Sequence, residues 1–227
     1  MLRITSLKLT ENPFSRRAAH EAGQRLARAL LREEGGGLLG FDAQGKPLVG
    51  GKPLVEGSPR LSLSLTHSRD YVIGALTDLG AIGIDLEVHR EGRRFEDIAA
   101  FAFGPLEQER VATFGAASFY RLWTLREAYA KATGIGWSLL VDGVERFGLS
   151  EREGVWRQAL EGRNWWLGTA AVAGDFTLAL ALAPNDKTLA LQARIATALT
   201  SVSSRVSGGF LPRNRSASPK SGRLHQR

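Results

Sequence analysis

The stretch GIDLEVHR, from Gly83 to Arg90, sets two carboxylates, Asp85 and Glu87, in alternation with Ile84, Leu86 and Val88. In a pleated strand the aliphatic groups share one face and both acids project from the other. Two carboxylates about 4 Å apart repel by roughly 4 kcal/mol at an effective dielectric near 20, so a cation, a shared proton or open water must offset them. A second candidate lies about forty residues on, in FYRLWTLREAYAKATGIG, from Phe119 to Gly136. On a helix Trp123, Glu127 and Lys131 fall four residues apart and share a face, while Leu122, Leu125, Tyr129 and Ala132 sweep another. Taken alone, each segment has an ordinary reading. The acids could be the solvated face of a sheet, and Glu127 with Lys131 an i,i+4 surface ion pair worth a few tenths of a kcal/mol.

The elements that must position these residues can be read from periodicity. Ser15 to Arg32 carries Ala18, Ala22, Leu26, Ala29 and Leu30 at helical spacing and stops before Gly35-Gly36-Gly37. Leu61 to Thr66, Tyr71 to Thr77 and Ala81 to Val88 read as strands joined by turns at Arg69-Asp70 and Asp78-Leu79-Gly80, a three-stranded antiparallel meander. Helices follow at Phe95 to Ala102, Leu106 to Phe114 and Ala117 to Thr133, the last stopped by Gly134 and Gly136. Strands are expected near Val144 to Leu149, Val155 to Leu160, Trp165 to Ala173 and Phe176 to Ala183, the final two forming a hairpin that turns at Gly174-Asp175. The class is α+β, with a division near Arg90 to Arg94 that separates residues 1–90 from 91–183. The pentapeptide GKPLV occurs at Gly45 and again at Gly51, a repeat too short for a solenoid and read as a loop.

Composition removes several function classes. The chain of 227 residues is 43% hydrophobic and has no cysteine, which excludes disulfides, thiolate zinc sites and cysteine nucleophiles and suits the cytoplasm. MLRITSLKLTENPF lacks the apolar core of a signal peptide. Leu167 to Ala183, the most apolar run, is short for a membrane span and is interrupted by Gly174 and Asp175, so no membrane partner is expected. Of the net charge of +7, eight of the 30 Lys and Arg and one of the 23 acids lie from Pro184 onward, leaving 22 of each before it. The body is neutral, and no specific nucleic-acid binding follows from the charge. Residues 184–227 read as a basic, disordered tail: the Ser-, Gly- and Arg-rich stretch from Ser203 to Arg227 lacks periodic hydrophobics, and a weak helix at Lys187 to Leu199 precedes it.

Together, GIDLE and the later WTLREAYAK closely resemble the paired signature of the 4′-phosphopantetheinyl transferases: Gly83, Asp85, Glu87, Trp123, Glu127 and Lys131 stand in order and at suitable separation. GKPLVEGSPRLSLSLTHS, from Gly51 to Ser68, and FGPLEQER, from Phe103 to Arg110, are similar to segments of the larger, surfactin-synthetase-activating type, so the resemblance covers most of residues 15–183. It implies two similar α+β halves packed as an intramolecular pseudo-dimer, with the site between them. It also implies transfer of the phosphopantetheine arm of coenzyme A to a serine of an acyl or peptidyl carrier protein, with release of adenosine 3′,5′-bisphosphate.

On that resemblance Asp85, Glu87 and Glu127 are the ligands of Mg²⁺, a hard cation that prefers oxygen donors. Lys131 lies beside the diphosphate, and Glu107 takes the proton of the attacking serine, directly or through water. His67, with Ser68 after it, contacts a coenzyme A phosphate. Lys52, fifteen residues before His67, is preferred to Lys46 of the duplicate copy. Arg25 reaches the 3′-phosphate, with Arg16, Arg17 and Arg28 in competition. Arg126 stands where the family often has Lys, a difference expected to be tolerated, and the chain beyond Ala183 has no counterpart in the motifs and is expected to be dispensable. The expected protein is a monomer. Other readings left open are a Mg²⁺-dependent phosphohydrolase of coenzyme A or nucleotides and a non-catalytic module binding an acidic protein.

Overall fold

The computed structural model describes residues 1–9, 15–42, 46–50, 61–136, 138, 140–148, 154–185 and 191–208. Two antiparallel sheets carry the fold. The first has the order β1 (Leu2–Lys8), β5 (Tyr71–Thr77), β4 (Ser62–Ser68), and the second the order β6 (Gly80–Val88), β9 (Phe176–Pro184), β8 (Arg163–Val172), β7 (Gly154–Leu160). A separate hairpin pairs β2 (Leu38–Phe41) with β3 (Pro47–Gly50). Helix α1 (Arg16–Glu33), capped by Ser15 accepting from the Ala18 amide, packs on the outer face of β5. Helix α3 (Pro105–Thr133) covers the second sheet, and helix α2 (Phe95–Ala102) packs on α3.

Most of the expected elements are present. β5 and α2 have the bounds read from the sequence, and Arg69-Asp70 joins β4 to β5 with Arg69 at φ 50°. The β8–β9 hairpin turns through Ala173-Gly174-Asp175, with Ala173 and Gly174 at φ 52° and 79°. The two expected long helices are one element broken at Gly115, whose φ of 67° and ψ of −150° leave the helical region.

Three expectations are corrected. The meander does not form: β6 turns away from β5 and pairs along its length with β9, Gly83 opposite Ala181 and Asp85 opposite Ala179. The chain therefore passes from the first sheet to the second at Asp78-Leu79. The stretch from Val144 is not a strand over its described residues, because its amides and carbonyls serve a buried ion pair described below. Finally, the chain beyond Ala183 is not featureless. Helix α4 (Leu191–Gly208) buries Leu191, Ile195, Leu199, Val202 and Val206. The expected tail from residue 209 lies outside the described residues.

Those α4 side chains join one core with Ile4, Tyr71 and Ile73 of the first sheet and Ile82, Ile84, Leu86, Leu178 and Leu180 of the second. The two sheets thus face a shared interior, which α4 closes along β1 and β8. Polar contacts fix it there: the Tyr71 hydroxyl donates to the Val206 carbonyl at 3.1 Å and Ser203 Oγ to the Ala171 carbonyl at 3.0 Å. Among the described residues no helix is long and apolar enough to cross a membrane. Leu199→Ala should cost about 2–5 kcal/mol, the usual range for a buried Leu truncation. Urea unfolding checks this, and a wild-type midpoint would show α4 to be peripheral.

Candidate metal and phosphate site

The face of β6 that bears the acids is turned toward α3, and Gly83 is what lets the two meet. A Cβ built at Gly83 would lie 1.8 Å from the Ala128 carbonyl oxygen and 2.6 Å from the Ala132 amide nitrogen. The strand therefore rests directly on the helix backbone, and side chains two residues along β6 and one helical position from Ala128 are forced together. Asp85 is buried, and its Oδ1 accepts from Lys131 Nζ at 2.6 Å and from Thr66 Oγ1 at 2.9 Å. Lys131 Nζ also donates to the Ile84 carbonyl at 3.3 Å. The second oxygen, Oδ2, is buried without a hydrogen-bond partner. Glu87 Oε2 accepts from Arg93 at 3.3 Å.

Glu127 completes the acidic group. Burial first, and then the charge of Asp85, pushes its carboxyl up to about 7, with Lys131 opposing and Glu87 adding to the rise. Burial and then Asp85 also raise Glu87, against Arg93. These carboxyls feel one another in a half-buried setting, where charge repulsion is poorly screened. Among the described residues no three His, Asp or Glu side chains already stand in ligating arrangement. The donor set nevertheless fits a hard divalent cation. It offers carboxylate oxygens alone, one of them a buried orphan, and present compensation comes from Lys131 on Asp85 and Arg93 on Glu87.

Two cavities flank the acids. One, of about 420 Å³, is lined by Ser15, Arg16, His67, Ser68, Glu87 and Arg90 among others. The other, of about 260 Å³, is lined by Lys46, Ser64, Leu65, Glu127, Lys131 and Gly134 among others. His67 keeps much of its surface in solvent, and the partial desolvation of its ring, followed by the Lys131 charge, lowers its pKa. Ser68 faces inward, its Oγ accepting from the Val88 amide at 3.2 Å. The α1 arginine at the first cavity is Arg16; Arg25 is exposed and is not among the residues lining either cavity. Lys52, the preferred lysine, lies outside the described residues. Lys46 of the duplicate copy reaches the second cavity, where its Nζ donates to the Ala132 carbonyl at 3.0 Å near the C-terminal end of α3.

Glu107 is not brought to this site. It is fully buried, and both oxygens are taken: Oε1 accepts from the amides of Arg146 and Phe147 at 3.2 and 3.0 Å, and Oε2 from Arg126 at 2.5 Å and the Gly104 amide at 3.4 Å. A carboxylate so enclosed has no surface for a substrate hydroxyl, which counts against the role of base given to it by resemblance. The bond to Gly104 is that of a third-position helix Glu reaching back to the cap, and the run Gly104-Pro105-Leu106-Glu107 is the signal that could have shown it. Arg126, expected to be a tolerated stand-in for Lys, is fully buried and donates to Glu107, to the Val144 carbonyl at 2.6 Å and to Asp142 at 3.3 Å. A planar fork with several donors meets these acceptors where a single ammonium would not. Arg93, in the acid group, carried no motif by which sequence could single it out, and Thr66, though inside the LTHS run, was given no role by the resemblance.

Residues 81–180, from β6 to β9, match the model of the 4′-phosphopantetheinyl transferase superfamily. That bears out the resemblance drawn from the two signatures, and the matched span contains Asp85, Glu87, Glu127 and Lys131. Among individual proteins, the chain is 34% identical over 122 residues to the 4′-phosphopantetheinyl transferase HetI of Nostoc, 48% of this chain and 50% of that protein. It is 33% identical over 120 residues to a 4′-phosphopantetheinyl transferase of Bacillus subtilis, 51% and 50% respectively, and 32% over 103 residues to psf-1 of Bacillus pumilus, 42% and 39%. The matches span about half the length of these curated relatives or less.

Glu107→Gln would take the fully buried carboxylate from Arg126 and leave Asp142, at 3.3 Å, as an ionic partner, so the fold should be destabilised by about 3 kcal/mol, the lower end for a broken buried pair. Thr66→Val, which keeps the shape and removes both hydroxyl bonds, should cost about 1–3 kcal/mol by leaving the Leu86 amide buried and unpaired. Denaturant titration of each variant reads both; near-wild-type stability in the Gln variant would contradict the buried-pair account.

Proposed function

We propose that the protein is a Mg²⁺-dependent 4′-phosphopantetheinyl transferase that moves the phosphopantetheine arm of coenzyme A onto a serine of an acyl or peptidyl carrier protein, releasing adenosine 3′,5′-bisphosphate. The observation that carries this reading is the meeting of Asp85 with Glu127 and Lys131 across the β6–α3 contact, between two cavities. The superfamily match over residues 81–180 and the names of the relatives support it. The two sheets, each backed by a long helix, suit the two-halved architecture that the resemblance implies.

Asp85, Glu87 and Glu127 would hold the metal, which when bound supplies positive charge to the diphosphate under attack. Lys131 already rests on Asp85, placed to shift its ammonium toward negative charge gathering on the departing phosphate. His67 and Arg16 offer donors to the phosphates from the first cavity and Lys46 from the second, with Arg25 on α1 and Lys52 as further candidates. With Glu107 enclosed, the serine proton leaves through Glu127 or water at the cleft. Carrier proteins of this kind tend to be acidic, and Arg16, Arg69 and Arg90 present basic groups around the first cavity for docking.

The test mixes the full chain with coenzyme A, Mg²⁺ and a panel of apo carrier proteins and reads mass gain on each by spectrometry. The expected result is a phosphopantetheine increment on at least one carrier, lost on chelation and reduced at least 10²-fold by Asp85→Asn, on the scale of losing one preorganised charge-stabilising group. Coenzyme A consumption without any carrier increment would point to hydrolysis instead.

A further inference from the structure

Arg93 belongs to no motif, yet it is built into the acid group from two sides. It lies in the connection between β6 and α2, with a side chain only 19% exposed, and donates through one guanidinium nitrogen to Glu87 Oε2. The guanidinium carbon stands 5.2, 5.5 and 5.6 Å from the ring centroids of Phe119, Tyr120 and Trp123. Phe119 and Trp123 are themselves stacked, 5.9 Å apart at 18°. All three rings belong to α3, and Trp123 is one turn before Glu127. Arg93 is thus held by the element that bears Glu127 while gripping the acid borne by β6.

Exposed ion pairs contribute little because both partners are mobile and solvated. This one differs: a wall of three rings fixes the cation, and among the described residues the single bond to Oε2 leaves Glu87 Oε1 uncommitted. Carboxylates that ligate metals are held by a neighbouring hydrogen bond of this kind, and its loss usually weakens metal binding 10–100-fold. We propose that Arg93 is a positioning residue that orients Glu87 so that its other oxygen is presented to a divalent cation. The inference rests on the metal reading given above.

Mn²⁺ binding to the full chain, followed by the electron paramagnetic resonance signal of the free ion, tests it without reference to turnover. The set is wild type, Arg93→Gln, Arg93→Lys, Glu87→Gln, the Glu87→Gln/Arg93→Gln double variant and Asp85→Asn, each checked for fold by circular dichroism. Arg93→Gln should raise the Mn²⁺ Kd by about 10–100-fold, Arg93→Lys by less, and Arg93→Gln should add nothing in the Glu87→Gln background. Unchanged Mn²⁺ affinity in Arg93→Gln would reduce Arg93 to an anchor of its loop, and tighter binding would make it a competitor of the metal; either overturns the proposal. If Arg93→Gln does not fold, Arg93→Lys decides, wild-type affinity again counting against it. Equal binding by wild type and Asp85→Asn would overturn the metal reading itself, whereas loss in Asp85→Asn with wild-type affinity in Arg93→Gln overturns only the role of Arg93.

Discussion

Strand β6 has a sheet partner on one side only. On the other, the amides of Ile84, Leu86 and Val88 donate at 3.1–3.2 Å to the hydroxyls of Ser64, Thr66 and Ser68, alternate residues of β4. The two sheets are therefore joined by side-chain hydroxyls standing where a neighbouring backbone would be, and the register is fixed because both strands repeat every second residue. An edge strand inside a protein needs such partners, since a buried amide left unpaired costs as much as a lost hydrogen bond. This arrangement sets Asp85 between Thr66 on one side and α3 on the other, and everything that happens at the acid group starts from that placement.

Charge is handled in two opposite ways within one helix. At the start of α3, Glu107 is closed in by Arg126 and three backbone amides, so its charge is satisfied and inaccessible. Toward its C-terminal end, Glu127 shares a half-buried site with Asp85 and Glu87, and its carboxyl is displaced to about 7 by burial and then by Asp85. Enclosed pairs contribute to a single well-defined fold; under-compensated groups are where a protein binds something. Consecutive residues, Arg126 and Glu127, serve these two ends because they point to different sides of the helix.

Much of this was legible in the sequence. The acids of GIDLE and the Glu127–Lys131 spacing were visible as period-two and period-four patterns, and the structure sets Asp85, Glu127 and Lys131 against one another. Strand β5 and helix α2 were bounded by their own hydrophobic periods. What could not be read is what depends on distant partners. β6 looked like the third strand of a meander because its turn is short, but its partner β9 lies some ninety residues further on. Glu107 was given the role of base by resemblance, because nothing in its own segment announces that the distant Arg126 will cover it. The stripe of α4 was seen only as far as Leu199; Val202 and Val206 complete it, in a stretch whose serines and arginine suggested disorder.

The place of α4 has a consequence for how the chain comes to be folded. A polypeptide translated as far as Pro184 already holds Asp85, Glu87, Glu127 and Lys131, yet Ile4, Tyr71 and Ile84 lack the cover that Ile195, Leu199 and Val202 bring. Until those residues emerge, the nascent chain shows the solvent a greasy furrow between its sheets, a surface on which a chaperone could settle during synthesis.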